Sequence, residues 1–222
     1  MTPAMTPATT WPRTVAAVGI IVTLVLQLAD TIGVAKDAGL DGAAVTTAVI
    51  NWFSFFTTLS AVMAVIALLV RSGTIRISAA AYMLVAGVGY FTLLGGLTDP
   101  VGSVAWWTNL VLHAVVPLVM LVDLWVSRHG AHIASRGRIV GSALVLPAVW
   151  AVYTQVRGPL VDAPFSDEPW WFPYGVIDPH RVAEGYVGVI GMYLIVGCAL
   201  VILVVLLRSV VVYRSRGAAE AG

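Results

Sequence analysis

Thr57 and His113 are the two residues of this chain whose types and placement point to chemistry. A threonine hydroxyl is a weak nucleophile until a base takes its proton, and a neutral imidazole is the commonest such base. Both stand in runs of hydrocarbon, Thr57 in "NWFSFFTTLS" and His113 in "WWTNLVLHAVVPLVMLVDLWV". A polar side chain in such a run must face protein or a cavity, and by default it marks a functional site.

The polar residues around these two are periodic. Asn109, His113 and Pro117 recur at i, i+4 and i+8, so on a helix they share one face. Pro117 has no N–H to give the carbonyl of His113, which frees that carbonyl and favours a kink. Asn109 is one turn from the imidazole and could orient it or donate to an oxyanion. Asn51, Ser54 and Thr58 make a second stripe, with Thr57 and Ser60 beside it. Ser54 and Asn51 are candidates for lining the outer side of a cavity, and Thr58 competes with Thr57 as nucleophile. A third set is the loop "DAPFSDEPWWFPYGVIDPHRVAEGY", where Trp170, Trp171, Phe172 and Tyr174 alternate with prolines.

Each set also has a purely structural reading. A threonine in a membrane helix commonly bonds back to its own backbone. A lone histidine there often hydrogen-bonds a neighbouring helix. An aromatic loop often does no more than anchor at the headgroups.

Composition defines the elements that must position these residues. Of 222 residues, 59% are hydrophobic and 10% charged, with a mean hydropathy of +0.94. A soluble domain carries about 25% charged residues, so the solvent of this chain is a bilayer. The formal net charge of +1 argues against a nucleic-acid partner. The single cysteine, Cys198, can build neither a disulfide nor a thiolate metal cluster. No cofactor or metal is called for; the expected partners are membrane lipids and a lipid-like substrate.

A helix needs about 20 apolar residues to cross the hydrocarbon. Six segments qualify, at 14–33, 45–70, 77–97, 104–126, 139–156 and 186–207. The expected fold is therefore all-α and polytopic. A flexible tail over 1–12 precedes one six-helix domain over 13–210, and a cytoplasmic tail over 211–222 follows. Arg13, Arg71, Arg76, Arg128, Arg136 and Arg138 fall on one side with the arginines after the last span. Lys36, Arg157 and Arg181 fall on the other, together with most of the acids. This bias predicts both termini in the cytoplasm and residence in the plasma (inner) membrane. Spans two and four then run in the same direction. His113 lies about 15 Å below the outer end of its span at 1.5 Å per residue, and Thr57 comes to the same depth. A competing reading of span one is a cleaved signal peptide ending near "GVA" at 33–35.

Three blocks carry a resemblance: "FTTLS" at 56–60, "NLVLHAVVPLVMLVDL" at 109–124 and "WWFPYGVIDP" at 170–179. In this order they resemble the androgen-induced-protein family, the relatives of androgen-dependent TFPI-regulating protein, with its bacterial six-span branch. The resemblance covers nearly the whole chain, and N-x-x-x-H-x-x-x-P is its most specific part. It implies an intramembrane hydrolase of fatty-acid esters of hydroxy fatty acids, with Thr57 as nucleophile and His113 as base. Tyr174, in the third block, is a further candidate for lining the site.

Two other functions remain open to the residues. A midplane polar stripe beside a broken helix also suits a transporter or a lipid-binding scaffold without chemistry. A haem would need His113 to face a second imidazole, and His129, His132 and His180 all lie outside the spans. No third catalytic member is evident, since Asp30 and Asp123 are the only acids near a span that might serve.

Overall fold

The computed structural model describes residues 11–70, 72–126 and 133–220. Arg71, Arg128, His129, His132 and the tail over 1–10 lie outside these residues. All regular structure among the described residues is helical: α1 (Trp11–Asp37), α2 (Gly42–Phe53), α3 (Phe56–Leu69), α4 (Gly73–Leu93), α5 (Val104–Val126), α6 (Arg136–Arg157) and α7 (Tyr186–Glu220). Five of these, α1, α4, α5, α6 and α7, are long and apolar enough to cross a membrane. α2 and α3 pass the same test only as a pair, and the pair is bent by 57°.

The expected second span, 45–70, is thus a broken one. Neither proline nor glycine marks the break at Ser54–Phe55. Instead, two side chains at the break and one from α6 satisfy the carbonyls that it frees. Ser54 Oγ donates to Ile50 O at 2.9 Å, Thr58 Oγ1 to Trp52 O at 3.1 Å, and Trp150 Nε1 on α6 to Ser54 O at 2.8 Å. Unpaired carbonyls in lipid cost several kcal/mol each, on the order of the penalty for any buried polar group, so these partners are what make the break tolerable.

Other boundaries differ in smaller ways. α4 starts at Gly73 and stops at Leu93, where Gly95 and Gly96 take positive φ of 81° and 71° and turn the chain. α6 accommodates Pro147 within its length. α7 continues to Glu220, through much of what the sequence suggests as a tail, since no proline interrupts it. α1 begins at Trp11 and buries Ala17, Ile20 and Leu24 in the shared core, so it is an integral helix of the bundle.

α4 is the central helix. It packs against α3, α5 and α7, and half of its apolar window is buried, more than in any other candidate span (50%). Small residues make this possible: Ala79, Ala80 and Ala81 on α4 and Ala61, Ala64 and Ala67 on α3 are fully covered. Without water to drive association, membrane helices rely on close packing, and small residues let backbones approach. α4 and α5 approach closely at Gly87, where any side chain would run into the carbonyl oxygen of His113 and press on the Pro117 ring.

At the arginine-rich end, Asp123 of α5 lies 2.6 Å from Arg13 Nε of α1 and 3.7 Å from Arg76 Nε of α4. The sequence leaves Asp123 as one of two acids that might serve His113; the fold gives it Arg13 and Arg76. Arg76 also donates to Ala67 O at 3.1 Å and Val70 O at 2.9 Å, closing the C-terminal end of α3. The opposite end of α3 is the one that carries Thr57.

Candidate active site

The break changes what the Thr57 hydroxyl can do. Thr23, Thr31, Thr46, Thr92 and Thr154 all bond back to the carbonyl four residues earlier. Thr57 is the second residue of α3, and the residue four before it belongs to α2, beyond a 57° bend. Its hydroxyl has no preceding turn to bond to, and it meets His113 Nε2 on α5 at 3.1 Å. Both side chains are buried, at 8% and 7% exposure. Thr58, one residue on, is turned to the Trp52 carbonyl instead. The geometry therefore separates two threonines that the sequence leaves as alternatives.

The imidazole is held on three sides. Its Nδ1 lies 2.9 Å from the backbone carbonyl of Asn109. A carbonyl only accepts, so this partner assigns the proton to Nδ1 and leaves Nε2 as the acceptor. Thr57 O–H accordingly donates to Nε2. Residues Val111–Val115 form a π turn, with Val116 N–H bonded five residues back to Val111 O. Such bulges shift the backbone register and cluster at functional sites. Tyr90 on α4 lies flat on the imidazole, with centroids 3.8 Å apart and planes 14° apart. Pro117 is buried, packs beside Gly87, and gives no N–H to the His113 carbonyl.

The Asn109 side chain points away from Thr57. Its Nδ2 donates to Asp99 Oδ2 at 2.8 Å, and its Oδ1 accepts from Gln27 Nε2 at 3.3 Å. Gln27 Oε1 in turn accepts from Trp52 Nε1 at 3.1 Å. So Asn109 orients the imidazole through its backbone, while its amide ties α1, α2 and the acidic loop together. Asp123 is engaged by Arg13 and Arg76 at the arginine-rich end, and no acid bonds Nδ1.

Tyr174 reaches the centre from the long loop before α7. Thr57 N–H donates to its phenol oxygen at 3.3 Å, and the phenol and Thr57 Oγ1 are 3.4 Å apart. Thr57 N–H is one of the groups that the first turn of a helix leaves unpaired, and the α3 dipole places partial positive charge there. Since Thr57 O–H is directed at Nε2, the phenol O–H is the donor in its 3.4 Å pair with Thr57 Oγ1. Desolvation raises the Tyr174 phenol above its ordinary value, partly offset by its bonds to Thr57, so it stays a donor at neutral pH.

The aromatic loop is thus more than an interfacial belt. Phe55, at the break, meets Trp171 and Tyr174 edge-on at 5.8 and 5.5 Å. Trp171 N–H donates to Gly158 O at 2.9 Å, and Gln155 Nε2 donates to Ile177 O at 3.1 Å. His180 is held within the loop, bonded through Nδ1 to Asp178 at 2.9 Å and stacked on Trp170.

A cleft with about 580 Å³ of empty space, part of it open to the surroundings, begins at Thr57 and Tyr174 and extends along α4 and α7. Neither Ser54 nor Asn51 lines it. Ser54 Oγ meets Tyr153 at 3.0 Å, and the Asn51 amide is buried without a hydrogen-bond partner among the described residues. The structure therefore gathers Thr57, His113, Tyr174 and the Asn109 backbone, and it leaves Ser54, Asn51 and Thr58 at the break. Sequence reasoning does not single out Tyr90, Gln27 or Asp99. Gln27 carries one usable signal, an amide within an apolar span.

Comparison of the chain with protein families, characterised proteins and solved structures finds no match.

Proposed function

We propose that this protein is an intramembrane hydrolase of lipid esters that uses Thr57 as nucleophile and His113 as base. The observation that carries this reading is the 3.1 Å contact between Thr57 Oγ1 and His113 Nε2, with Nδ1 fixed on a carbonyl. In the first step Thr57 Oγ1 attacks the ester carbonyl carbon while Nε2 takes its proton. Thr57 N–H and the Tyr174 phenol, which in the resting site bond each other while the phenol also donates to Thr57 Oγ1, would turn to the oxyanion that forms. The tetrahedral centre collapses, the C–O bond to the alcohol breaks, and Nε2 returns its proton to the leaving oxygen. Water then attacks the acyl-threonine; Nε2 takes a proton from the water and passes it back to Thr57 as the acid departs.

A backbone carbonyl in place of a carboxylate on Nδ1 keeps the tautomer but stabilises the imidazolium less. The account therefore expects a slow enzyme, which suits a substrate that already resides in the bilayer. The fatty-acid esters of hydroxy fatty acids implied by the resemblance to the androgen-induced-protein family are the substrates to try first. The same reading places the chain in the plasma membrane with both termini in the cytoplasm. The bent α2–α3 pair also fits a transporter or scaffold, where broken spans border a binding cavity.

Reconstituted protein supplied with such esters tests the proposal. Turnover should be present in the wild type and lost in both Thr57→Ala and His113→Ala. Equal release of free acid from all three would refute the hydrolase and leave the non-enzymatic reading.

A further inference from the structure

We propose that the cleft along α4 and α7 is the acyl-chain subsite of the Thr57 centre, and that Gly89 provides the room for the chain. This rests on the ester-hydrolase reading of Thr57 and His113. The cleft wall contains Val85, Ala86 and Leu93 on α4 and Met192 and Val196 on α7, and no charged side chain lines it. Its polar contributors are Thr57 and three tyrosines, which suits a hydrocarbon chain with one ester at its end and excludes a charged headgroup from the interior. Tyr90, stacked on His113, sets the Thr57 centre beside the middle of the α4 wall, and from there the wall runs about 7 Å toward Val85 and about 5 Å toward Leu93 at 1.5 Å per residue. Leu93 and Leu94, at the far end, are 46% and 36% exposed, so the cleft opens sideways there.

Which half of the ester enters follows from the proton path. The leaving alcohol must face Nε2, because it receives the proton held there. The acyl group stays on Thr57 and has no such need. The cleft touches Thr57 and Tyr174, whereas His113 does not line it and sits behind Tyr90. The retained acyl chain is therefore the part that the cleft accommodates.

Gly89 is the opening in the α4 wall. It lines the cleft, and a Cβ built on it meets nothing within 4 Å. By contrast Gly87, two residues earlier, is pressed against α5. A large side chain at 89 has space only outward or into the cleft, where it would take the place of the chain.

The test uses p-nitrophenyl esters from acetyl to decanoyl, presented in water to micelle-solubilised protein. Wild type should favour octanoyl over acetyl. Gly89→Phe, and independently Val196→Phe on the facing wall, should cut the octanoyl-to-acetyl ratio of kcat/KM by about tenfold or more, because each excluded methylene forfeits up to about fourfold. Acetyl turnover should stay within about twofold of wild type. A matching series with a fixed acetyl group and lengthening alcohols should show no such change. An unchanged acyl ratio, or a change confined to the alcohol series, overturns the assignment. A second readout needs no turnover: a diazirine-bearing octanoyl amide should crosslink saturably to α4 and α7 near Val85, Met192 and Val196 in Thr57→Ala. Saturable crosslinks without any ester cleavage would sink the hydrolase but keep the chain subsite. Cleavage with crosslinks confined to other helices would do the reverse.

Discussion

The backbone carbonyl of Asn109 lies 2.9 Å from Nδ1 of His113, and this bond decides which imidazole nitrogen faces Thr57. A side-chain partner could be swapped by mutation or flipped; a backbone carbonyl of the helix just before the π turn cannot. The Nδ1–H tautomer is thus built into the backbone of α5.

That relationship predicts a mild outcome for Asn109→Ala. The carbonyl survives the substitution, and only the bonds to Asp99 and Gln27 are lost. Neither bond touches the reacting atoms, so the rate of labelling by a fluorophosphonate should fall by about tenfold or less. A fall of a thousandfold would mean that the amide itself acts on the reacting group.

Tyr174→Phe should be more damaging. The ring contact with Phe55 is kept, and only the hydroxyl beside Thr57 goes. Removing one oxyanion donor typically lowers kcat by about 10²–10³. Steady-state kinetics on a soluble ester should show that loss in kcat with KM within about threefold. A change in KM alone would assign the phenol to substrate binding.

Gly87→Ala should loosen the bundle where α4 meets α5. The new methyl would collide with the His113 carbonyl oxygen and the Pro117 ring, so α4 and α5 must separate. Overpacking of this kind costs about 1–3 kcal/mol. Thermal unfolding in micelles should register the loss, while Gly89→Ala, with open space at the same depth, should unfold near the wild-type temperature.

Orientation can be read from labelling in intact cells, in a Cys198→Ser background. A cysteine at Ser135 should resist an impermeant thiol reagent, and one at Pro164 should react. The reversed pattern would place the arginine-rich end outside.

What the sequence reveals of this site, and what it hides, follows from the range of the forces involved. The shared face of Asn109, His113 and Pro117 is legible because helical periodicity is local. The common depth of Thr57 and His113 is legible because rise per residue is constant. The break at Ser54–Phe55 is hidden, since "NWFSFF" reads as unbroken hydrocarbon and the bonds that permit the bend come from Trp150 and Thr58. Tyr174 is expected to line the site, but its contact with Thr57 is hidden for the same reason: it depends on how a long loop folds back over Phe55. The Asn109 amide is expected to orient the imidazole or to meet an oxyanion, whereas it bonds Asp99, ten residues away in a loop whose course no periodicity describes.

The central claim, that the break frees Thr57 for His113 to activate, is tested most directly by locating a fluorophosphonate adduct by mass spectrometry on protein reconstituted in lipid. The account predicts a single adduct on Thr57, absent in Thr57→Ala, nearly absent in His113→Ala, and retained in Thr58→Ala. An adduct on Thr58, or labelling that His113→Ala leaves untouched, would contradict it.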